Sequence, residues 1–365
     1  MPGSSDQRAA ADGRLFPSDL DSIAERIGHR WDALRGSRIF LTGGTGFVGR
    51  WMLESLLWAD ETYDLGTRVV LLSRDPESFG RRHPHLAQAP AVELVQGDVR
   101  TFPFPLGRFD RVLHLAAETN TALTDPEPEE YFEVIVEGTR RVLDLAERSG
   151  AESFLLVSSG AIYGSPVGLS QGLREDDPYG PAPTARSSAY GEAKRCAEML
   201  ASARAARVGF TATLARCFAL VGPYLPLDSG FAIGNFIQAA LGGREIVVQG
   251  DGTPRRTYMY AADMAQWLWA IALAGSSGRA YNVGSDEVVS IADLARLVAG
   301  LVAGVRVRVV GDANRVGAGS VYIPDIARAR TELGLELSIT LRTALQRTLD
   351  WQRLASGSIV QEALR

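Results

Sequence analysis

Thr42-Gly-Gly-Thr-Gly-Phe-Val-Gly49 is the stretch that decides how this chain folds. Arg38-Ile-Phe-Leu41 runs into it as a short apolar strand, and Phe47 to Trp58 leaves it with helical character. Gly43, Gly46 and Gly49 are spaced Gly-x-x-Gly-x-x-Gly. A turn that tight needs glycine dihedrals and close backbone approach, and it points unpaired helix N–H groups at whatever lies above the strand. Such a terminus suits a pyrophosphate. The plain alternative is a tight strand–helix turn, and the position between a strand and a helix favours the cradle.

Outward from this turn, strand and helix alternate. Arg68-Val-Val-Leu-Leu-Ser73, Val92-Glu-Leu-Val95, Arg111-Val-Leu-His-Leu-Ala116, Ser153-Phe-Leu-Leu-Val-Ser158 and Thr211-Ala-Thr-Leu-Ala215 read as strands two to six. Tyr131 to Arg148 and Ser188 to Arg207 read as long helices. Continuous apolar strands between helices imply a parallel sheet covered on both faces, an α/β doubly wound, Rossmann-type architecture. Beyond about 217 the regularity weakens. Glu245–Val248, Ala280–Val283 and Val305–Val310 suggest short strands, and Ser290 caps a helix. The expected organisation is a dinucleotide-binding domain over 38–217, with parts of 236–285 returning to it. A smaller α+β substrate-binding domain takes most of 218–365. Residues 1–37 form an extension with one helix: 1 to about 16 read as unstructured, then Ser18 caps a helix that carries Ile23, Ile27, Trp31 and Leu34 and stops at Gly36.

Composition narrows the class. The chain is 46% hydrophobic and 22% charged, as in ordinary globular proteins. A net charge of −5 argues against a nucleic-acid surface. Cys196 and Cys217 are the only cysteines, and they read as small buried hydrophobes. No Cys/His spacing suits a metal. The start lacks an apolar leader, and no stretch approaches the roughly 18 apolar residues of a membrane span. A cytoplasmic protein is expected.

Four local signals bear on chemistry. Lys194 is the only lysine; every other one of the 38 Lys and Arg residues is arginine. It follows Tyr190 by four residues, one helical turn, so an ammonium stands beside a phenol. A cation there is expected to lower the phenol pKa and make Tyr190 a usable acid/base; a surface lysine that happens to follow a tyrosine is the plain alternative. Ser73-Arg74-Asp75 ends the second strand, where an acid selects NAD through the ribose and an arginine accommodates the 2′-phosphate of NADP. Arg74 tilts this towards NADP; the alternative is a solvated Arg74 and a capping Asp75. Gly97-Asp98-Val99 follows the third strand, where a carboxylate can meet an adenine amino group or merely form a turn. Ser159, after the fifth strand, could bond a substrate oxygen beside Tyr190 or cap a helix.

These pieces, in this order, resemble the extended short-chain dehydrogenases/reductases, particularly their nucleotide-sugar epimerases, dehydratases and ketoreductases. The resemblance covers about 38 to 353. It implies a catalytic group of Ser159, Tyr190 and Lys194. Gly43, Gly46, Phe47, Val48, Gly49, Ser73, Arg74, Asp98, Val99, Leu115, Ala116, Ala117 and Lys194 would hold NAD(P), and Thr119, Ser159, Asn235 and Arg256 a nucleotide-diphosphate sugar. A homodimer built on the two long helices is also implied. Departures narrow the reaction. Family 4,6-dehydratases carry Asp-Glu after the catalytic Ser/Thr, where this chain has Gly160-Ala161. Ile135 and Ala219 replace usual asparagines. The resemblance therefore implies hydride transfer at a sugar carbon, C4 foremost, by a ketoreductase or 4-epimerase. A dehydratase with another acid/base pair, or a non-catalytic dinucleotide-binding protein, are the alternatives.

Overall fold

The computed structural model describes residues 2–117, 127–164, 166, 171–228, 230–311 and 320–363, with side chains to 356. Its centre is a seven-stranded sheet. The first six strands are β1 (Arg38–Thr42), β2 (Arg68–Ser73), β3 (Val92–Gln96), β4 (Arg111–His114), β5 (Ser153–Ser159) and β6 (Thr211–Cys217). The order is β3-β2-β1-β4-β5-β6, then Arg279–Val283 beside β6. All pairs in this sheet are parallel. The order reverses between β1 and β4, and ligands bind at such a switch point, beyond the carboxyl ends of the strands. The strand segments expected from sequence are all present. Apart from the edge strand β3, which is only partly covered, their β-branched and apolar runs are buried on both faces, as the central residues of β2 show.

The long helix expected over 131–148 has a more detailed form. It begins at Pro128, turns as a π-helix over Phe132–Glu137, and continues as an α-helix over Gly138–Ser149. The Thr139 hydroxyl donates to the Ile135 carbonyl at 2.5 Å, within this widened segment. Ile135 itself is buried, so an apolar contact stands where family members carry an asparagine.

The chain start corrects the expectation of an unstructured segment followed by one helix. Two α-helices are present, α1 (Ser4–Ala11) and α2 (Pro17–Ile27), followed by a 3₁₀ stretch over Gly28–Leu34. Phe16, not Ser18, is the N-cap residue of α2, with Pro17 at its first position. Ser18 instead donates through both backbone N–H and hydroxyl to Asp6, tying the two helices together. Ala10, Leu15 and Phe16 are buried, and Trp351 donates its indole N–H to the Arg14 carbonyl. The segment folds because the last helix, Leu341–Ala363, gives it a surface to pack on. Leu20, Ile23, Ala24 and Ile27, at helical spacing, bury α2 against α3 (Phe47–Tyr63) and the helix Ala261–Ala274.

Among the described residues beyond β6, short strands build three small sheets. The first pairs Val288–Ser290, Arg255–Thr257 and Val321–Tyr322; the others pair Ile246–Val248 with Val307–Val309 and Leu220–Val221 with Met259–Tyr260. The first brings Arg256 and Tyr322 over the sheet's carboxyl edge, where both line the cleft.

Candidate functional site

The glycine turn is held by its neighbours. Gly43 has φ +72°, and a methyl group there would stand 2.6 Å from the Ala116 nitrogen. A methyl on Gly49 would stand 2.2 Å from the Gly43 carbonyl oxygen. Neither position tolerates a side chain, so β1, the turn and α3 approach as closely as a backbone cradle requires. Beneath it, the Thr42 hydroxyl lies 2.7 Å from His114 Nδ1, and the Thr139 hydroxyl 3.0 Å from His114 Nε2. Thr139 already donates to Ile135, so it accepts from Nε2–H, and Thr42 donates to Nδ1. His114 is thus a neutral ring. Burial, with a smaller push from the Lys194 charge, brings its pKa down to about 3.

A cleft of about 1450 Å³ opens over this edge. That exceeds the usual volume for one small ligand, roughly 300–1,000 Å³, and leaves room for two. Gly43, Gly46, Phe47, Val48, Gly49, Arg74, Asp98, Val99, Leu115, Ala116, Ala117, Ser159, Tyr190, Lys194 and Arg256 all line it. Two expected site residues do not. Ser73 is buried, and its hydroxyl accepts from the Asp75 N–H at 3.2 Å. Asn235 is exposed on the helix Ala232–Leu241, because the buried face of that helix is taken by Ile233, Phe236 and Ile237. Thr119 lies outside the described residues.

Lys194 is buried, and its ammonium donates to the Val157 carbonyl at 2.8 Å. Burial pulls its pKa down to about 8. The Tyr190 phenol behaves opposite to the sequence expectation. Burial pushes it up to about 12, against a lowering hydrogen bond from Ser159. Desolvation prevails, so at neutral pH the phenol holds its proton. Ser159 accepts from the Ala161 N–H at 3.1 Å. Its neighbour Ser158 is turned inward to Glu198, which pairs with Arg216, so Ser159 is the serine in contact with Tyr190.

At the other end of the cleft, Asp75 caps the helix Pro76–Arg82 by accepting from the Ser78 N–H at 2.9 Å. Asp98 accepts from both the backbone and the guanidinium of Arg100, which holds its carboxyl below the usual range. Asp98 is the single carboxylate among the described lining residues, set against Arg74, Arg100, Arg186, Lys194 and Arg256. The cleft suits anionic ligands.

Several site residues escaped the sequence reading. Tyr131 meets the Tyr190 ring edge-on with centroids 5.8 Å apart. Cys217 lines the cleft at the end of β6, half-buried, with its thiol pushed up to about 12 by burial. Tyr322 lines the cleft with its hydroxyl beside Gly160, and no spacing signal in the sequence marks it. Arg256 donates to the Ser320 carbonyl at 2.8 Å and the Ser320 hydroxyl at 2.9 Å, which fixes it at the cleft wall.

The profile of the NAD dependent epimerase/dehydratase family matches residues 39–284. The chain is 30% identical over 310 residues to UDP-glucuronic acid decarboxylase 3 of Arabidopsis thaliana, covering 84% of this chain and 86% of that protein. It is 27% identical over 321 residues to the dTDP-glucose 4,6-dehydratase of Streptomyces griseus, covering 86% of this chain and 94% of the relative. A dTDP-glucose 4,6-dehydratase double mutant from Streptomyces venezuelae, solved with NAD bound, superposes with a TM-score of 0.76 at 25% identity, covering 88% of this chain and 98% of that one. A UDP-glucose 4-epimerase from Thermotoga maritima, solved with UDP-glucose, gives a TM-score of 0.73 at 25% identity over 87% of this chain and 98% of its own. The glycine cradle, the Ser159 strand end and the Tyr190–Lys194 helix all fall inside the matched span, and the chain belongs to the NAD dependent epimerase/dehydratase family.

Proposed function

We propose that this chain is a nucleotide-sugar 4-ketoreductase that uses NADP. One observation carries the reading. Beside Ser159 stand a protonated Tyr190 and a buried Lys194, and no carboxylate among the described lining residues is near them. A protonated phenol gives a proton to a carbonyl oxygen; it is not a base for removing a proton from carbon. Elimination of water needs such a base, and Gly160 and Ala161 supply none.

The cradle of Gly43, Gly46 and Gly49, with Arg74, Asp98, Val99, Leu115, Ala116 and Ala117, fits a dinucleotide, which when bound supplies the hydride. Lys194 would hold its nicotinamide ribose. With Asp75 engaged as a helix cap, the carboxylate that would favour NAD is occupied, and Arg74 and Arg100, which line the cleft, would meet a 2′-phosphate. Arg256 would grip the sugar diphosphate. Tyr190 and Ser159 would both bond the C4 oxygen, Tyr190 giving its proton as that oxygen becomes an alkoxide.

A 4-epimerase uses the same Ser159, Tyr190 and Lys194, and the likeness to a UDP-glucose 4-epimerase favours it as the second reading. The test is nicotinamide absorbance with UDP- and dTDP-linked hexoses and 4-ketohexoses, with product analysis. Net NADPH oxidation by a ketosugar is the expected result. Sugar inversion without net absorbance change would replace this reading with the epimerase, and CO₂ release from UDP-glucuronate would replace it with a decarboxylase.

A further inference from the structure

Tyr224 has φ +70°, in the left-handed region that a bulky side chain rarely enters. Such strain persists only where the surroundings over-determine the backbone. Three successive carbonyls are held from outside the segment. The Trp51 indole N–H donates to the Pro223 carbonyl at 2.9 Å, the Arg50 guanidinium to the Tyr224 carbonyl at 3.2 Å, and the Gln352 amide to the Leu225 carbonyl at 3.4 Å. The Tyr224 side chain is fixed as well. The Arg50 guanidinium lies over its ring at 4.2 Å, and Trp351 meets the ring edge-on with centroids 5.1 Å apart. Its hydroxyl lies 2.7 Å from Glu54 Oε2 and 2.9 Å from the Gly13 carbonyl oxygen.

Two regions outside the matched family span converge on this residue. Gly13 belongs to the N-terminal extension, where the Leu15 N–H donates to Glu54 Oε1 at 2.9 Å. Trp351 and Gln352 belong to the last helix. Arg50, Trp51 and Glu54 lie near the start of α3, the helix that leaves the glycine cradle. Tyr224 is 3% exposed and is not among the residues lining the cleft, whereas Leu225 and Pro226 both line it. The helix Ala232–Leu241 sits close on the same segment, since a methyl on Gly234 would stand 3.1 Å from the Pro226 carbonyl oxygen. Phe231 and Ile233, at the start of that helix, also line the cleft. An apolar wall therefore takes its position from one strained and fully anchored residue.

We propose that Tyr224 is a positioning residue for the sugar nucleotide, and that the N-terminal extension serves the site through it. Gly13, Leu15 and Glu54 fix the phenol, the phenol fixes the turn, and the turn sets Leu225 and Pro226 against the ligand. The residues that would hold the dinucleotide lie elsewhere, on the glycine cradle, at the ends of the first strands and at Lys194. Loosening Tyr224 thus weakens the sugar nucleotide and spares the cofactor. The proposal rests on the reading of this cleft as a nucleotide-sugar site. Tyr224 acts through Leu225 and Pro226 and touches no reacting atom.

Tyr224→Phe keeps the ring beneath Arg50 and removes only the hydroxyl. UDP-glucose and dTDP-glucose serve as calorimetric probes. Whichever binds the wild-type chain should bind Tyr224→Phe about tenfold more weakly, while the NADPH dissociation constant stays within about twofold. Glu54→Ala should give the same split. Glu54→Gln should restore affinity, because its side-chain carbonyl accepts from Leu15 and its amide donates to the Tyr224 oxygen, which then gives its proton to Gly13. Ser18→Ala loosens the same extension at Asp6, away from Tyr224, and should lower stability in urea with both dissociation constants unchanged. Equal weakening of both ligands in Tyr224→Phe and Glu54→Ala, or unchanged sugar-nucleotide affinity in them, would overturn the proposal and leave the nucleotide-sugar reading in place. A wild-type chain that binds neither probe would remove that reading, and the proposal with it.

Discussion

The Thr42 hydroxyl donates across 2.7 Å to His114 Nδ1, joining β1 to β4 directly under the glycine cradle. The bond requires a neutral His114, and burial keeps the ring neutral down to about pH 3. An unfolded histidine protonates below about 6.5. The depressed pKa therefore contributes stability that is present above about 6.5 and lost as pH falls towards 3, with a slope approaching about 1.4 kcal/mol per pH unit. Asp19 opposes this. Burial raises its carboxyl to about 6, so its contribution is present below about 3.8 and lost as pH rises through 6. Urea unfolding at pH 7, 6 and 5 should show stability falling, less steeply in His114→Gln and more steeply in Asp19→Asn. Equal slopes in all three chains would contradict the assignment.

Gly49→Ala forces a methyl to within 2.2 Å of the Gly43 carbonyl, and the turn must open. Overpacking of this kind costs about 1–3 kcal/mol. Cofactor affinity, read by nicotinamide fluorescence, should fall at least about tenfold, since about 1.4 kcal/mol is tenfold in an equilibrium constant.

Lys194→Arg retains the charge but places a planar fork where an ammonium donates to Val157. Lys194 is only 2% exposed, which leaves the bulkier fork little room. Turnover should drop about a hundredfold or more. Tyr190→Phe should abolish turnover while NADPH binding, measured by calorimetry, persists; full activity in Tyr190→Phe would remove Tyr190 from the chemistry.

The proposed preference for NADPH over NADH should fall about tenfold in Arg74→Ala, the worth of one charge-assisted hydrogen bond to a 2′-phosphate. Arg100 is paired with Asp98 and Glu133. The ratio of dissociation constants for the two reduced cofactors checks this.

Met199, 69% exposed on the helix Ala189–Val208, and Phe132, 41% exposed at the start of the π-helical segment, put apolar surface on the two helices expected to form a dimer. Met199→Asp should shift the chain from dimer to monomer in light scattering at micromolar concentration. A wild-type monomer at that concentration would rule the dimer out.

The sequence by itself determined the features encoded in local spacing. Glycines every third residue between a strand and a helix require one kind of turn, and alternating apolar strands with helices require a covered parallel sheet. Tyr190 and Lys194, four apart on a helix, share one face whatever the rest of the chain does. The tertiary structure decided what depends on distant partners. Residues 4–11 look unstructured alone, and form a helix because the last helix gives them a surface. Asn235 fits its motif, yet points away because three apolar neighbours claim the buried face of its helix. A cation one turn from Tyr190 suggested a lowered phenol pKa; only the packed site shows desolvation prevailing and the proton retained. Gly160 read as a missing acid. It is also the space that admits Tyr322, and no local pattern records that contact because its partners lie on opposite halves of the fold.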